Sequence, residues 1–308
     1  MANKKSTMQS PYFQDEDSAR EYLESIRWPD GPICPHCGGS EKIYRLEGKS
    51  HRKGLLKCGH CRKQFSVTVG TLFERSKIPL HKWLLAAYLL CSSKKGISAH
   101  QLHRMLGITY KSAWFMTHRI REAMADSFFT EQLGGPGKYV EADETYWGNK
   151  GKQRRGARGA SHKEKIFSLV ERDGRVRSFH VPAVNGATLK PILKRQVDSD
   201  THVVTDEMGA YRGLEKDFTA HSVVCHSKGE YVRGPIYTNT IENYFSILKR
   251  GLTGVYQHCG PQHLRRYVGE FDFRYSNRKF NDVERTILAL RGIEGKRLVY
   301  RDSSRVTV

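Results

Sequence analysis

Two Cys-x-x-Cys pairs, Cys34-Pro-His-Cys37 and Cys58-Gly-His-Cys61, are separated by 20 residues. No other feature narrows so sharply what the first part of this chain can fold into. Each knuckle brings two thiolates together and turns backbone N–H groups towards them, and two knuckles at this separation supply the four sulfurs of a tetrahedral zinc site. Between them, Ile43-Tyr-Arg-Leu46 and Leu55-Leu-Lys57 alternate as short strands, the frame of a zinc ribbon. A redox dithiol needs only one such pair. The expectation is one structural Zn²⁺ held by Cys34, Cys37, Cys58 and Cys61, with His36 and His60 at the surface. So small a ribbon buries little apolar area, so the metal supplies most of its folding energy. Cys91, Cys225 and Cys259 are scattered and read as buried thiols in a reducing compartment.

The 308 residues leave room for about two or three domains. Lysine and arginine total 52 against 32 acids, a formal charge of +20, which points to a polyanion and first of all to nucleic acid. The longest apolar run, Trp83 to Cys91, is nine residues, well short of the roughly 20 that span a bilayer. The polar start, Met1-Ala-Asn-Lys-Lys-Ser-Thr7, lacks the apolar segment of a signal peptide. A membrane or secreted protein is not expected on these grounds.

A short helix is expected around Ser18 to Ile26, ended by Trp28-Pro-Asp-Gly31. After the ribbon the pattern turns helical. Trp83 to Leu90 is apolar enough to be buried, Ser98 caps a second helix through Leu106 with Gln101 at the capping-box position, and Gly107-Ile-Thr109 turns into a third through Met124. Helix, glycine turn and basic helix in this order fit a helix-turn-helix with Lys111, Arg119 and Arg121 on DNA, and equally a plain helical spacer with solvated charges. Gly134-Gly-Pro-Gly137 is a linker. The chain therefore divides into 1–75 (helix and ribbon), 76–133 (helical, DNA-binding), 138–290 (catalytic) and a basic tail, 291–308.

Lys138 to Trp147 alternates as a strand, with Glu141, Asp143 and Thr145 on one face and Glu144 on the other. A Gly- and Arg-rich loop with Arg154 and Arg155 follows, suited to phosphates. Then come strands Lys165–Val170 and Val176–Val181 around an Asp173-Gly174 turn. A helix Thr188–Val197 with Pro191 in its first turn leads to a strand His202–Asp206, and another strand begins at Ser222. Last comes an amphipathic helix with Ile241, Phe245 and Leu248 on one stripe, and Glu242 near its start. The order β-β-β-α-β-α-β-α is that of a ribonuclease-H-like α/β fold, a mixed sheet flanked by helices. In it Asp143, Asp206 and Glu242 meet, although 35 residues separate the second from the third. Three crowded carboxylates repel unless cations hold them, and hard oxygen ligands suit two Mg²⁺ or Mn²⁺ ions. Glu141 reads as a salt-bridge partner, Glu144 and Glu207 as structural, and His221 and His226 as surface groups or DNA contacts. Tyr231 and Arg233 sit in the loop before the last helix, and Arg265, Arg266, Arg274, Arg278 and Lys279 extend the basic track.

Asp143-Glu-Thr-Tyr-Trp-Gly148, Thr205-Asp-Glu-Met-Gly-Ala-Tyr211, Tyr231-Val-Arg-Gly234 and Thr238-Asn-Thr-Ile-Glu242 resemble bacterial insertion-sequence DDE transposases, in particular the subgroup with an N-terminal zinc ribbon. Leu264-Arg-Arg-Tyr267 and Glu270-Phe-Asp-Phe-Arg-Tyr275 extend the likeness to about Arg278. Lys249, seven residues after Glu242 and followed by Arg250, fits the Glu-x₆-Lys element in which the cation meets DNA. The resemblance implies Asp143, Asp206 and Glu242 as metal ligands, with Asn239 one turn earlier as the alternative third. It also implies strand cleavage followed by 3′-OH transfer into target DNA, terminal inverted repeats as substrate, a homodimer or larger synaptic complex, and a place at the bacterial nucleoid in the cytoplasm. Two other readings remain open: a zinc-ribbon transcriptional regulator, which needs no carboxylate triad, and a ribonuclease-H-type nuclease that cuts without joining.

Overall fold

The first helix starts where Asp15 accepts the Ser18 N–H at 2.7 Å, and α1 (Glu16–Arg27) turns Ala19 and Leu23 inwards. In the computed structural model, which describes residues 7–125, 131–148 and 163–300, α1 belongs to the first of two units, Met1–Met124 with Phe280–Arg305. The ribbon is a three-stranded antiparallel sheet of β1 (Ile43–Arg45), β2 (Leu56–Cys58) and β3 (Gln64–Phe65), in that order. Its apolar side is small: Leu55, Leu56, Phe65 and Val67, with Trp28 edge-on to Phe65.

Three helices follow as the pattern predicts: α2 (Leu80–Ser92), α3 (Ala99–Leu106) and α4 (Tyr110–Met124). Ser98 caps α3 by accepting the Gln101 N–H, and Gly107 ends it in the left-handed region at φ +60°, where a side chain would strain the backbone. A helix from far along the chain, Asp282–Arg291, packs on α2 and α4. The segment expected to be catalytic, 138–290, takes in all but the last residue of that helix. The helix sits instead against Cys91, whose carbonyl accepts from Arg285 Nε at 3.1 Å. Helix α4 also corrects two expected DNA contacts. Arg121 is 1% exposed and donates to Thr117 Oγ1, because it shares the inner face with Thr117 and Met124. Arg119 is half-buried, donating to the Leu298 and Glu74 carbonyls, so neither lies on the exposed face of a recognition helix.

The second unit, Ala125–Lys279, is built on a five-stranded sheet. Its elements are β4 (Tyr139–Trp147), β5 (Glu164–Glu171), β6 (Val176–Val181), α5 (Gly186–Gln196), β7 (His202–Asp206) and β8 (Ala220–Val224). A short hairpin of β9 (Val232–Arg233) and β10 (Ile236–Tyr237) leads into α6 (Asn239–Gly251) and α7 (Pro261–Ser276). Strand order is β6-β5-β4-β7-β8, with β4 central, antiparallel to β5 and parallel to β7. This is the mixed, ribonuclease-H-like sheet expected from the element order.

Period-two alternation splits the sheet into two cores. Val140, Ala142, Phe167 and Leu169 pack with Leu189 and Leu193 of α5, while Ile166 and Val170 on the other face pack with Ile241, Phe245 and Leu248 of α6 and Leu264 and Phe271 of α7. Pro191 departs from expectation. Asn185 caps α5, so Pro191 lies in the second turn and the Ala187 carbonyl forgoes its ladder bond. Two arginines of the expected basic track are also inside. Arg266 and Arg274 are 8% and 7% exposed, and Arg274 pairs with the fully buried Glu270 one turn before it. No helix among the described residues is long and apolar enough to cross a membrane.

Candidate active site

Strand register builds the site. The parallel β4–β7 ladder pairs Val140 with Val203 and Glu141 with Val204. Two residues further along each strand stand Asp143 and Asp206, at one level and on one face, on strands roughly 5 Å apart. Glu144 joins them: carboxylate oxygens of Asp143, Glu144 and Asp206 all lie within 4.8 Å of one another. Alternation correctly put Glu144 on the opposite face, where it accepts the Tyr211 hydroxyl at 2.8 Å. Its carboxylate nonetheless reaches the aspartates, so the purely structural role expected for it does not describe its position.

Burial, then the charge of Glu144, raises the Asp143 carboxyl to about 8. Burial likewise raises Asp206 and Glu144 above the ordinary carboxylate range. No lysine or arginine among the described residues pairs with any of the three. Crowded oxygens without a protein counter-charge are the donor set a hard divalent cation takes.

Glu242 lies beside this cluster rather than within it. Its charge acts on Asp143, its Oε1 accepts from Thr238 Oγ1 at 3.1 Å, and its side chain is 50% exposed. His226 Nε2 stands 3.7 Å from the same oxygen. His226 is held there by Glu207, which accepts the His226 and Ser227 N–H groups at 2.8 and 3.0 Å, so the structural role expected of Glu207 is to shape this turn.

The start of α6 is anchored by Glu141. That carboxylate is fully buried, accepts Thr240 Oγ1 and the Ile241 N–H at 2.9 Å each, and pairs with Arg172 Nε at 2.8 Å. Arg172 also donates to the Pro235 and Tyr237 carbonyls and lies over the Tyr237 ring at 3.6 Å. One buried ion pair thus ties the central strand, the hairpin and the first turn of α6. The salt bridge expected of Glu141 is present; its partner and its hold on α6 carry no local sequence signal.

The remaining expected DNA contacts differ in placement. Lys249 and Arg250 are exposed on α6, Lys249 two turns and about 10 Å beyond Glu242 on the same face. Arg233 is exposed but engaged, pairing with Glu230 at 3.2 Å and donating to the Val223 carbonyl. Lys111 is exposed on α4, over the Tyr300 ring. Arg154 and Arg155 lie outside the described residues.

In the other unit the four ribbon thiols form a closed set. Cys34 and Cys61 sulfurs are 3.6 Å apart and those of Cys37 and Cys58 3.7 Å. Tetrahedral Zn–S bonds of about 2.3 Å demand sulfur separations near ~3.8 Å, so the set fits the ion and is far too wide for disulfides. The backbone N–H groups of Cys61 and His60 lower the pKa of the Cys58 thiol, which favours the thiolate at that sulfur.

Residues 132–276 match the ISXO2-like transposase domain, and residues 14–64 match the transposase zinc-ribbon domain. A protein of the transposable element ISH50 of Halobacterium salinarum is 30% identical over 279 residues, 85% of this chain and 91% of that protein. The chain belongs to the ISXO2-like family of insertion-sequence transposases. A transposase-like protein of Haemophilus influenzae is 30% identical over 103 residues, 33% of the chain and 82% of that protein. A chain of a simian T-cell lymphotropic virus intasome, in complex with PP2A regulatory subunit B56 gamma, aligns at 15% identity over 56% of this chain and 63% of that one. Its TM-score of 0.28 is too slight a likeness to bear on function. In this transposase the carboxylate cluster and Glu242 lie inside the transposase-domain match, and the four cysteines inside the ribbon match.

Proposed function

We propose that this transposase cuts DNA at the terminal inverted repeats of its element and joins the freed 3′-OH to target DNA, using Asp143, Asp206 and Glu242, with Glu144 beside them, to hold two Mg²⁺ or Mn²⁺ ions. The observation that carries the reading is the approach of the Asp143, Glu144 and Asp206 carboxylates within 4.8 Å at the ends of adjacent parallel strands, with no lysine or arginine of the described residues to balance them. The bound cations supply the positive charge that makes an attacking oxygen nucleophilic and offsets charge on the departing one.

The protein's own groups do the rest. Asp143 and Asp206, set by strand register, fix where the reacting phosphate sits. Glu242 enters from α6, whose first turn Glu141 and Arg172 hold in place. In cleavage, water adds to phosphorus and the P–O3′ bond breaks, leaving a 3′-OH. In joining, that hydroxyl attacks a target phosphodiester, one P–O bond forms, and another 3′-OH departs. No covalent enzyme intermediate is needed. Lys249 and Arg250 lie where the strand would leave the site. The ribbon, with one structural Zn²⁺ on its four cysteines, and Lys111 on α4 supply further DNA contact. Two element ends must be handled together, so the working form is a homodimer or a larger synaptic assembly.

Binding of Mn²⁺ to the full chain, followed by electron paramagnetic resonance, tests the donor set apart from activity. Wild type should bind two ions per chain, and Asp206→Asn should weaken that binding at least about ten-fold. Equal affinity in the two proteins would remove Asp206 from the site.

A further inference from the structure

The ribbon-bearing unit contains a cavity of about 100 Å³ whose wall includes Leu72, Glu74, Arg75, Arg119, Arg297 and Leu298. A water needs roughly 10–15 Å³ on the same measure, so there is room for a tetrahedral oxyanion with water beside it. Three arginines and one glutamate are among the residues that line this space. That carboxylate is already engaged, since Glu74 accepts the Gly70 N–H at 3.0 Å and stands 3.6 Å from Arg75 Nε.

Arg119 is rigidly set. Its Nε donates to the Leu298 carbonyl at 3.1 Å, its Nη1 reaches the Glu74 carbonyl, and it stacks on Phe115 at 4.8 Å. Burial, and then the nearby charge of Arg297, lowers its affinity for its proton. Arg297 is exposed and has no ion-pair partner among the described residues. Arg75 is 78% exposed and holds a left-handed backbone at φ +58°, which a residue with a side chain adopts at a cost. Three arginines against the single Glu74 carboxylate leave an excess of positive charge at this cavity, and guanidinium forks match phosphate oxygens in pairs.

We propose that this cavity is a phosphate site that takes a phosphodiester of the DNA backbone, with Arg119 as its fixed donor and Arg75 and Arg297 closing on the anion. The proposal rests on the transposase reading only for the source of the phosphate. It gives Arg119 a role on DNA through a cavity wall rather than through the exposed face of α4. Such binding reads no sequence; it adds affinity and fixes register.

The test uses the full chain and fluorescence anisotropy on duplexes of unrelated sequence, from low to moderate salt. Arg297→Gln and Arg75→Gln are the variants, because both side chains are exposed and their removal leaves the core intact. Each should weaken binding by a similar factor, roughly three- to ten-fold, on every duplex, and lower the slope of log K against log salt by about 0.9 for each phosphate no longer neutralised. Unchanged affinity and slope in variants with wild-type circular dichroism would overturn the proposal. In a second arm, inorganic phosphate is titrated into the free protein. Phosphate that raises the melting temperature of wild type but not of Arg297→Gln, with the DNA slope unchanged, would mark a free-phosphate site and overturn the assignment to DNA. Binding is read here without chemistry. A wild type that binds with this slope yet joins no strands would sink the transposition reading and leave the site standing.

Discussion

Asp272 joins three elements through one carboxyl. It accepts the Ser178 N–H and Oγ at 2.8 Å each and the Tyr244 hydroxyl, so α7 is bonded to β6 and to α6 two residues beyond Glu242. Burial raises its pKa from 3.8 to about 7. The folded state therefore holds this proton more tightly than the unfolded chain does. The associated stability is complete below about pH 4, declines from there to about pH 7, and is absent above, a change on the order of 4 kcal/mol. Asp272→Asn keeps the shape and does not titrate. Its melting temperature relative to wild type should rise between pH 4.5 and 7.5, and a difference that stays flat with pH would refute the account of this carboxyl. At the same scale, strand alternation made Asp143 and Asp206 legible in the sequence. The reach of Glu144 was not, because alternation assigns a face and says nothing of how far a longer side chain extends past a strand's end.

Helix α6 was legible as an element: its apolar stripe of Ile241, Phe245 and Leu248 is the face that packs on β5. What holds its first turn was not. Glu141 and Arg172 lie on different elements, and Arg172 follows β5 at the Asp173-Gly174 turn, so only the folded hairpin brings them together. Removing a charge from so buried a pair strands the other and costs several kcal/mol. The gentler change is Arg172→Lys, which keeps the charge but loses the fork that reaches Pro235 and Tyr237. Joining at saturating DNA should slow roughly ten- to a hundred-fold, because Glu242 rides on this turn, while duplex affinity stays within about two-fold. An unchanged joining rate would show that the clamp does not position Glu242.

For the whole molecule, the Cys-x-x-Cys spacing announced the ribbon and the order of strands and helices announced the sheet. The return of Asp282–Arg291 to the ribbon-bearing unit was not readable, since that packing joins segments nearly 200 residues apart and depends on which face α2 leaves uncovered. The net charge of +20 likewise foretold a polyanionic partner without locating it. Arg121, Arg266 and Arg274 are inside, whereas Lys249, Arg250 and Arg297 are at the surface, a division set by helix faces that a charge count does not resolve. Metal-dependent strand transfer is proposed for the carboxylates of the second unit. Its most direct test joins labelled DNA carrying the element's ends to a supercoiled target, with purified wild type or Glu242→Gln, in magnesium or EDTA. Joined product is expected from wild type in magnesium alone, and at least a hundred-fold less from Glu242→Gln. Joining that persists in EDTA, or that Glu242→Gln leaves intact, would contradict the proposal.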